Sequence, residues 1–247
     1  LRLFSRFQSL HSKQPFIVAD YARDWPALNE HPWRRASYLR SVSGPGRVVP
    51  VEVGNNYLLE TWKQVIMSWD SFLASLEFED QEPSGGGELF YLAQHDLFMQ
   101  MPALQDDFTV PDYAYASLVS DGRTHVPPSN ENQLVINSWL GPRGTVSPPH
   151  TDPYHNLYVQ VVGHKTVWLA PPTEAITAAM SSKESSTLQN TSRYDVFADS
   201  VGPELISTVV PHAMSATLKP GDMLFFPAGW WHAMRSESTS FSVSFWF

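Results

Sequence analysis

The residues with the most to offer chemically lie in Ser147-Pro148-Pro149-His150-Thr151-Asp152-Pro153. Residues two apart on an extended chain point the same way, so His150 and Asp152 present an imidazole and a carboxylate to one point. A metal held there needs a third ligand. His232, eighty residues further on, is the best candidate. It follows Pro220-Gly221, the apolar run Met223-Leu224-Phe225-Phe226, and Pro227-Ala228-Gly229-Trp230-Trp231: a turn, a strand, a second turn, then the histidine. Two histidines and one carboxylate on one face of a metal leave its other positions open, which suits a non-haem Fe(II) that activates O2. A lone His-x-Asp is common and mostly structural. The ordered set of His-x-Asp, distal turn–strand–Trp-His and the lysine described next is far less so.

Activating O2 at Fe(II) takes electrons, and a keto-acid is one source. 2-Oxoglutarate carries two carboxylates. One chelates the metal with the keto oxygen; the distal one needs a cation and hydroxyl donors in a dry pocket. Asn156-Leu157-Tyr158-Val159-Gln160-Val161-Val162, Gly163-His164 and Lys165-Thr166-Val167-Trp168-Leu169 read as a hairpin. Its turn sets Asn156 and Lys165 on neighbouring strands, so both can face an interior. A lysine inside a β-core is costly unless it is paired, and a dicarboxylate would be that partner. The plainer reading makes Lys165 a solvated hairpin residue. Among the other histidines, His11, His31, His125, His164 and His212 show no partner pattern and read as surface or loop residues. His155 has the wrong strand parity to join Asp152, and His95 is ambiguous.

These residues need a scaffold. Leu1 to His11 reads as an amphipathic helix, with Leu3, Phe4, Phe7 and Leu10 at helical spacing. Phe16-Ile17-Val18 is a short strand. Asp24-Trp25-Pro26 opens a helical stretch through Trp33 to Leu39. Val48 to Val53 is a strand with Gly54-Asn55-Asn56 as its turn. Trp62 to Leu76 reads as a helix with Trp62, Val65, Ile66, Trp69, Phe72 and Leu73 on one stripe, which on its own means core packing. Glu82 to Glu88, with three glycines, lacks the ending of a phosphate loop and precedes a strand, Phe90-Tyr91-Leu92-Ala93. Asp121 to Asn132 is a polar loop. Strands follow at Leu134–Leu140, Asn156–Val162, Thr166–Leu169, Met223–Phe226 and Ser240–Phe247. The last alternates Phe241, Val243 and Phe245 with Ser240, Ser242 and Ser244. Ser181 to Ser192 is a Ser/Thr-rich insertion whose Asn190-Thr191-Ser192 reads as a turn. No internal repeat is visible.

Composition narrows the field. The 247 residues carry 25 acidic and 16 basic side chains, a formal charge of −9. That balance argues against direct nucleic-acid binding and favours a basic partner. Only 17% of residues are charged while 43% are hydrophobic and 20 are prolines, which excludes disorder and suits short strands joined by turns. The length fits one all-β unit with a sizeable core. The absence of cysteine excludes disulfides, zinc thiolates, Fe–S clusters and thiol nucleophiles. No apolar run approaches the roughly 20 residues of a membrane helix, and no signal-peptide core is visible. The chain opens on Leu1, as an excised domain would.

Taken together, Ser147 to Asp152, Lys165 and Pro220 to His232 resemble the JmjC-domain Fe(II)/2-oxoglutarate oxygenases. Val49 to Gly54, Tyr91 to His95, Asn137 to Pro142 and Ser240 to Trp246 extend the likeness over nearly the whole chain, towards the Jumonji domain-containing protein 5 (lysine-specific demethylase 8) group. The resemblance implies a mainly β fold, a double-stranded β-helix or cupin-like jelly roll with N-terminal flanking helices. Residues 1–247 would form a single catalytic domain, with 1–130 as helices and flanking strands and 131–247 as the core jelly roll. His150, Asp152 and His232 would be the catalytic metal ligands for Fe(II). Lys165 would pair with the distal carboxylate of 2-oxoglutarate, with Tyr91 and Ser147 as hydrogen-bond donors and Asn156 near the metal-proximal end. Trp246 and the last strand would close the barrel.

The likeness also implies a substrate pocket for a peptidyl arginine: Glu52 for its guanidinium, Trp62 and Trp139 as aromatic walls, Gln94 as a polar contact. A guanidinium does favour a carboxylate and aromatic faces. The expected function is O2-dependent hydroxylation of a basic side chain in a protein or peptide. N-methyl-lysine demethylation is the first alternative, a non-catalytic binding module a remoter one, and a metal-dependent isomerase remoter still. Two departures stand out. The group's N-terminal helical region is almost absent, and insertions at Gly85–Gly87 and Arg123–Asn132 could change substrate entry. The chain stops in its last core strand without a C-terminal dimerisation helix, so a monomer is expected, in the nucleus or cytoplasm.

Overall fold

The computed structural model describes residues 13–58, 61–83, 87–115, 126–181, 190–192, 194–198 and 202–247. The helix expected over Leu1–His11, together with His11, His125 and residues 85–86 and 123–125 of the two insertions, lies outside them. Twelve strands follow in order: β1 (Phe16–Val18), β2 (Val48–Val53), β3 (Lys63–Ser68), β4 (Phe90–His95), β5 (Val135–Gly141), β6 (Val146–Thr151), β7 (Asn156–Val162), β8 (Lys165–Ala170), β9 (Met214–Leu218), β10 (Met223–Phe226), β11 (Trp231–Ser236) and β12 (Ser240–Trp246). They form two antiparallel sheets. The larger has the order β1-β10-β7-β12-β5-β4-β2-β3, the smaller β6-β11-β8-β9. This is the cupin-like jelly roll.

Three apolar layers hold it together. The outer face of the large sheet packs Val49, Val51, Leu92, Leu140, Val159, Phe241, Val243 and Phe245 against the N-terminal elements, including Trp25, Trp33 and α1 (Ala36–Ser43). Between the sheets lie Tyr158, Val167, Leu169, Leu224, Phe226 and Met234. The outer face of the small sheet is covered by α5 (Glu174–Met180) and α6 (Pro203–Thr208), with Trp231 and Ala170 beneath them. Short helices α2 (Trp69–Ala74), α3 (Leu97–Gln100) and α4 (Pro102–Gln105) complete the N-terminal layer. The alternation along β12 therefore separates two buried faces, since all seven of its residues are buried. Its phenylalanines face the helices. Its serines face the barrel, where Ser242 donates to Gln160 Oε1 (2.8 Å) and Ser244 accepts from the Trp139 indole (2.9 Å).

Several local expectations change. Trp62 to Leu76 is not one helix. Lys63–Ser68 pairs along its length with β2, and the helix begins only at Trp69, where the Ser68 hydroxyl caps it. The apolar spacing fits both periods over so short a run, and the β2 edge supplies the backbone partners that decide between them. Likewise only Pro26–Leu28 coils into a 3-10 turn, and the α-helix starts at Ala36. His31 is not without a partner: its Nδ1 lies 2.6 Å from Asp107 Oδ1. Asp107, fully buried, also accepts from the Trp33 indole and the Tyr38 hydroxyl, and so ties the N-terminal layer together. The residues Asn190 to Ser192, expected as a turn, run beside β6, with Thr191 opposite His150.

The hairpin expected at Gly163-His164 is a crossing between sheets. β7 pairs with β10 and β12, whereas β8 pairs with β11 and β9. The turn packs against the matching crossing from β11 to β12: His164 N–H donates to Ser238 Oγ (3.0 Å), and Glu237 N–H to the His164 carbonyl (2.9 Å). Gly163 is required there, because its φ is +68° and a Cβ would overlap the Thr239 carbonyl and the Ser238 hydroxyl. We expect Gly163→Ala to cost about 1–3 kcal/mol of folding stability, read as a lower denaturation midpoint in urea. An unchanged midpoint would contradict this account of the crossing.

Candidate active site

β6 and β11 are neighbours in the small sheet, and their register sets His150 directly opposite His232. Asp152 lies one residue past the end of β6, where its carbonyl accepts from Gly229 N–H (2.8 Å) in the turn before β11. One donor atom from each of His150, Asp152 and His232 lies within 4.8 Å of the others. His232 Nε2 is 3.4 Å from one Asp152 oxygen, and His150 Nε2 is 3.9 Å from the other. Among the described residues this is the one His/Cys/Asp/Glu group with metal-holding geometry.

The backbone orients both rings. His150 Nδ1 is 2.7 Å from the Pro148 carbonyl, and His232 Nδ1 is 3.0 Å from that of Trp230. A carbonyl only accepts, so each Nδ1 carries the proton and each Nε2 lone pair is free to bind a metal. Burial, helped by His232, holds the His150 imidazole down at about 4, so it is neutral at physiological pH. Burial alone would raise the Asp152 carboxyl, but the two histidines outweigh it and the group stays below the usual carboxylate range. Two imidazoles and one carboxylate on a single face fit a divalent ion such as Fe(II). His155 takes no part: its Nδ1 accepts from Ala228 N–H, and its ring packs on Phe225 and Phe247.

Deeper in the barrel, Lys165 is 1% exposed. It enters the interior from the small sheet, not from a hairpin partner of Asn156. Its ammonium lies 2.9 Å from the Tyr158 hydroxyl and 3.3 Å from that of Tyr91. Among the described residues no carboxylate reaches it, and burial pulls it down to about 7. The Tyr91 hydroxyl also hydrogen-bonds Ser147. The structure thus brings Tyr91, Ser147 and Lys165 together. Asn156 lies opposite Trp246 and Phe226 in the register of β7 with β12 and β10. Asn156 Oδ1, Asn137 Nδ2 and Trp246 Nε1 are buried without hydrogen-bond partners. A buried cation with only hydroxyls around it, and unmet polar atoms nearby, fit an anionic ligand with polar groups at both ends.

Glu52 pairs with Tyr91 across β2 and β4, and so shares the inward face of the sheet. Burial raises its carboxyl, against a hydrogen bond from Trp62 that lowers it. Trp62 is 37% exposed and so is not a core residue. Trp139 stands on the barrel wall, its ring 6.4 Å from that of Tyr91, anchored to Ser244 rather than beside Trp62. Gln94 is exposed at the irregular end of β4 with a left-handed φ of +49°.

Two aromatic residues escaped the sequence reading. Tyr158, two residues along from Asn156, shares its strand face, so parity alone could have found it. Tyr57 hydrogen-bonds Thr191, feels both Glu52 and Asp152, and is raised to about 12, mainly by burial. It lies in a loop, where no periodicity marks it.

A cupin-like domain matches residues 2–247. The Jumonji C domain-containing protein 5 of Drosophila melanogaster is 41% identical over 237 residues, 94% of this chain and 54% of that protein. The lysine-specific demethylase 8 of Danio rerio is 39% identical over 248 residues, 98% of this chain and 55% of that protein. The human bifunctional peptidase and (3S)-lysyl hydroxylase JMJD7 is 24% identical over 95% of this chain and 77% of that protein. The chain spans about half the length of the first two. With its jelly roll and its His-Asp-His group, the chain belongs to the cupin-like domain family and to the JmjC proteins within it.

Proposed function

We propose that this chain is the catalytic domain of an Fe(II)- and 2-oxoglutarate-dependent oxygenase that hydroxylates an arginine side chain in a protein, acting in the nucleus or cytoplasm. The observation that carries the reading is the buried Lys165 ammonium, which shares its barrel with the His-Asp-His group and has hydroxyl neighbours but, among the described residues, no carboxylate partner. His150, Asp152 and His232 would hold the metal. Iron with 2-oxoglutarate and O2 would supply the oxidation, giving succinate, CO2 and one hydroxylated C–H bond. The chain's own groups supply position. Lys165, Tyr91 and Tyr158 hold the distal carboxylate, and Ser147 orients Tyr91. Asn156 would reach the metal-proximal carboxylate. Tyr158, Leu224, Phe226 and Met234 keep the cavity dry.

The substrate side rests on Glu52. A part-buried carboxylate, braced by an indole N–H and next to an aromatic face, suits a guanidinium. Trp139 and Gln94 would flank the entrance. A second reading, removal of a methyl group from lysine, is favoured by the relative named lysine-specific demethylase 8. A mass-spectrometric competition between an arginine peptide and a methyl-lysine peptide separates the two. One added oxygen on arginine supports the first, and loss of methyl with formaldehyde supports the second.

Three outcomes follow. Asp152→Ala should reduce succinate formation to background; a fully active variant would refute the ligand set. Glu52→Gln should lower arginine-peptide hydroxylation by about 10–100-fold, the worth of one charge-assisted hydrogen bond; an unchanged rate would remove Glu52 from the pocket. Because the free Lys165 sits at about 7 and the ligand needs its cation, 2-oxoglutarate binding above that pH must take up a proton. Affinity, measured by calorimetry with Mn(II), should be flat below pH 7 in this group's contribution and fall by up to about tenfold per unit above it. Lys165→Met should bind weakly and lose that slope; a slope retained in the variant would contradict the assignment.

A further inference from the structure

The face that carries Glu52 does not end at Glu52. Directly opposed residues of an antiparallel pair share a face, and the pairs here are Glu52 with Gln64, Pro50 with Ile66, and Val48 with Ser68. The alternate residues Val49, Val51, Val65 and Met67 are turned into the core. The Glu52 face is left open: Ile66 is 69% exposed and Val48 48%. β3 is the last strand of the large sheet and pairs only with β2 among the described residues. An exposed edge is normally blunted by charge. Here the edge strand carries one exposed charge, Lys63, and on the Glu52 face the acidic side chain is followed by Pro50 and Ile66 in the next pair. Successive pairs on one face are about 7 Å apart, the same repeat as alternate side chains of an extended peptide.

We propose that Pro50 and Ile66 form a seat for a hydrophobic side chain of the substrate polypeptide, two residues from the basic residue that reaches Glu52. The proposal rests on the oxygenase reading above. Its support is continuity with that site: Glu52 and the apolar pair Pro50 and Ile66 follow one another on one open face of the same two strands.

The test uses fluorescein-labelled peptides, each with one arginine in a Gly/Ser background and leucine or asparagine two residues to one side or the other. Binding is followed by anisotropy with Mn(II) and 2-oxoglutarate. On one of the two sides leucine should bind about tenfold tighter than asparagine, as burial of an aliphatic side chain implies. Ile66→Asp should abolish that preference and Ile66→Leu should keep it. Equal binding of the two peptides to the parent chain, or a preference that survives Ile66→Asp, would overturn the proposal. So would a dimer in sedimentation that Ile66→Asp disperses without changing peptide preference, since the face would then serve a second copy. A peptide with glutamine for arginine that binds as well as its parent would instead refute the basic-substrate reading, whatever Ile66 does.

Discussion

A lysine ammonium in the centre of a β-barrel is the constraint that organises this protein. Stranding a charge in so dry a place costs several kcal/mol unless something compensates it. Tyr91 and Tyr158 offer hydroxyl oxygens to Lys165 but no negative charge, and burial alone drags its proton affinity down to about 7. A sequence free to relieve that strain would place an acid beside it or an apolar residue in its position. This chain does neither, and keeps the barrel around Lys165 lined with buried aliphatic and aromatic side chains. The arrangement makes sense when the anion arrives from outside.

The rest of the scaffold brings that ammonium and the His-Asp-His group into one barrel. The two sheets face each other across the interior, and crossings at Gly163-His164 and at Glu237–Thr239 carry the chain between them. The small sheet contributes Lys165 on β8 and both histidines, on β6 and β11. The large sheet contributes Tyr91 on β4 and both Asn156 and Tyr158 on β7. Charge and hydroxyls thus come from opposite walls and meet only when both sheets are in register. Two backbone carbonyls then fix the imidazole tautomers, so the His-Asp-His group is preorganised by hydrogen bonds that cost the fold no further side chain.

The fold class and the clustering of three candidate ligands were legible in the sequence, while several local elements were not. His150, Asp152 and His232 could be found because strand parity and turn residues are local signals. Lys165 could be found because a cation amid valine, tryptophan and leucine is a visible anomaly. The same local signals misplace β3, since Trp62, Val65, Ile66 and Trp69 satisfy a helical stripe as well as a strand. Only the backbone of β2, remote from that periodicity, settles the choice. They also turn the β7–β8 crossing into a hairpin, because a Gly-His turn does not say which sheet the next strand will join. Tyr57 was out of reach altogether: its importance lies in its nearness to Glu52 and Asp152, which no spacing encodes.

The most direct test of the central claim compares 2-oxoglutarate with 2-oxopentanoate, the same keto-acid with a methyl group in place of the distal carboxylate. Each is added with Mn(II), and the melting temperature of the chain is recorded. Both can chelate the metal, but only the first can neutralise Lys165. The account predicts a rise with 2-oxoglutarate and little or none beyond the metal's own effect with 2-oxopentanoate. Equal stabilisation by the two would show that the buried ammonium is not what recognises the ligand.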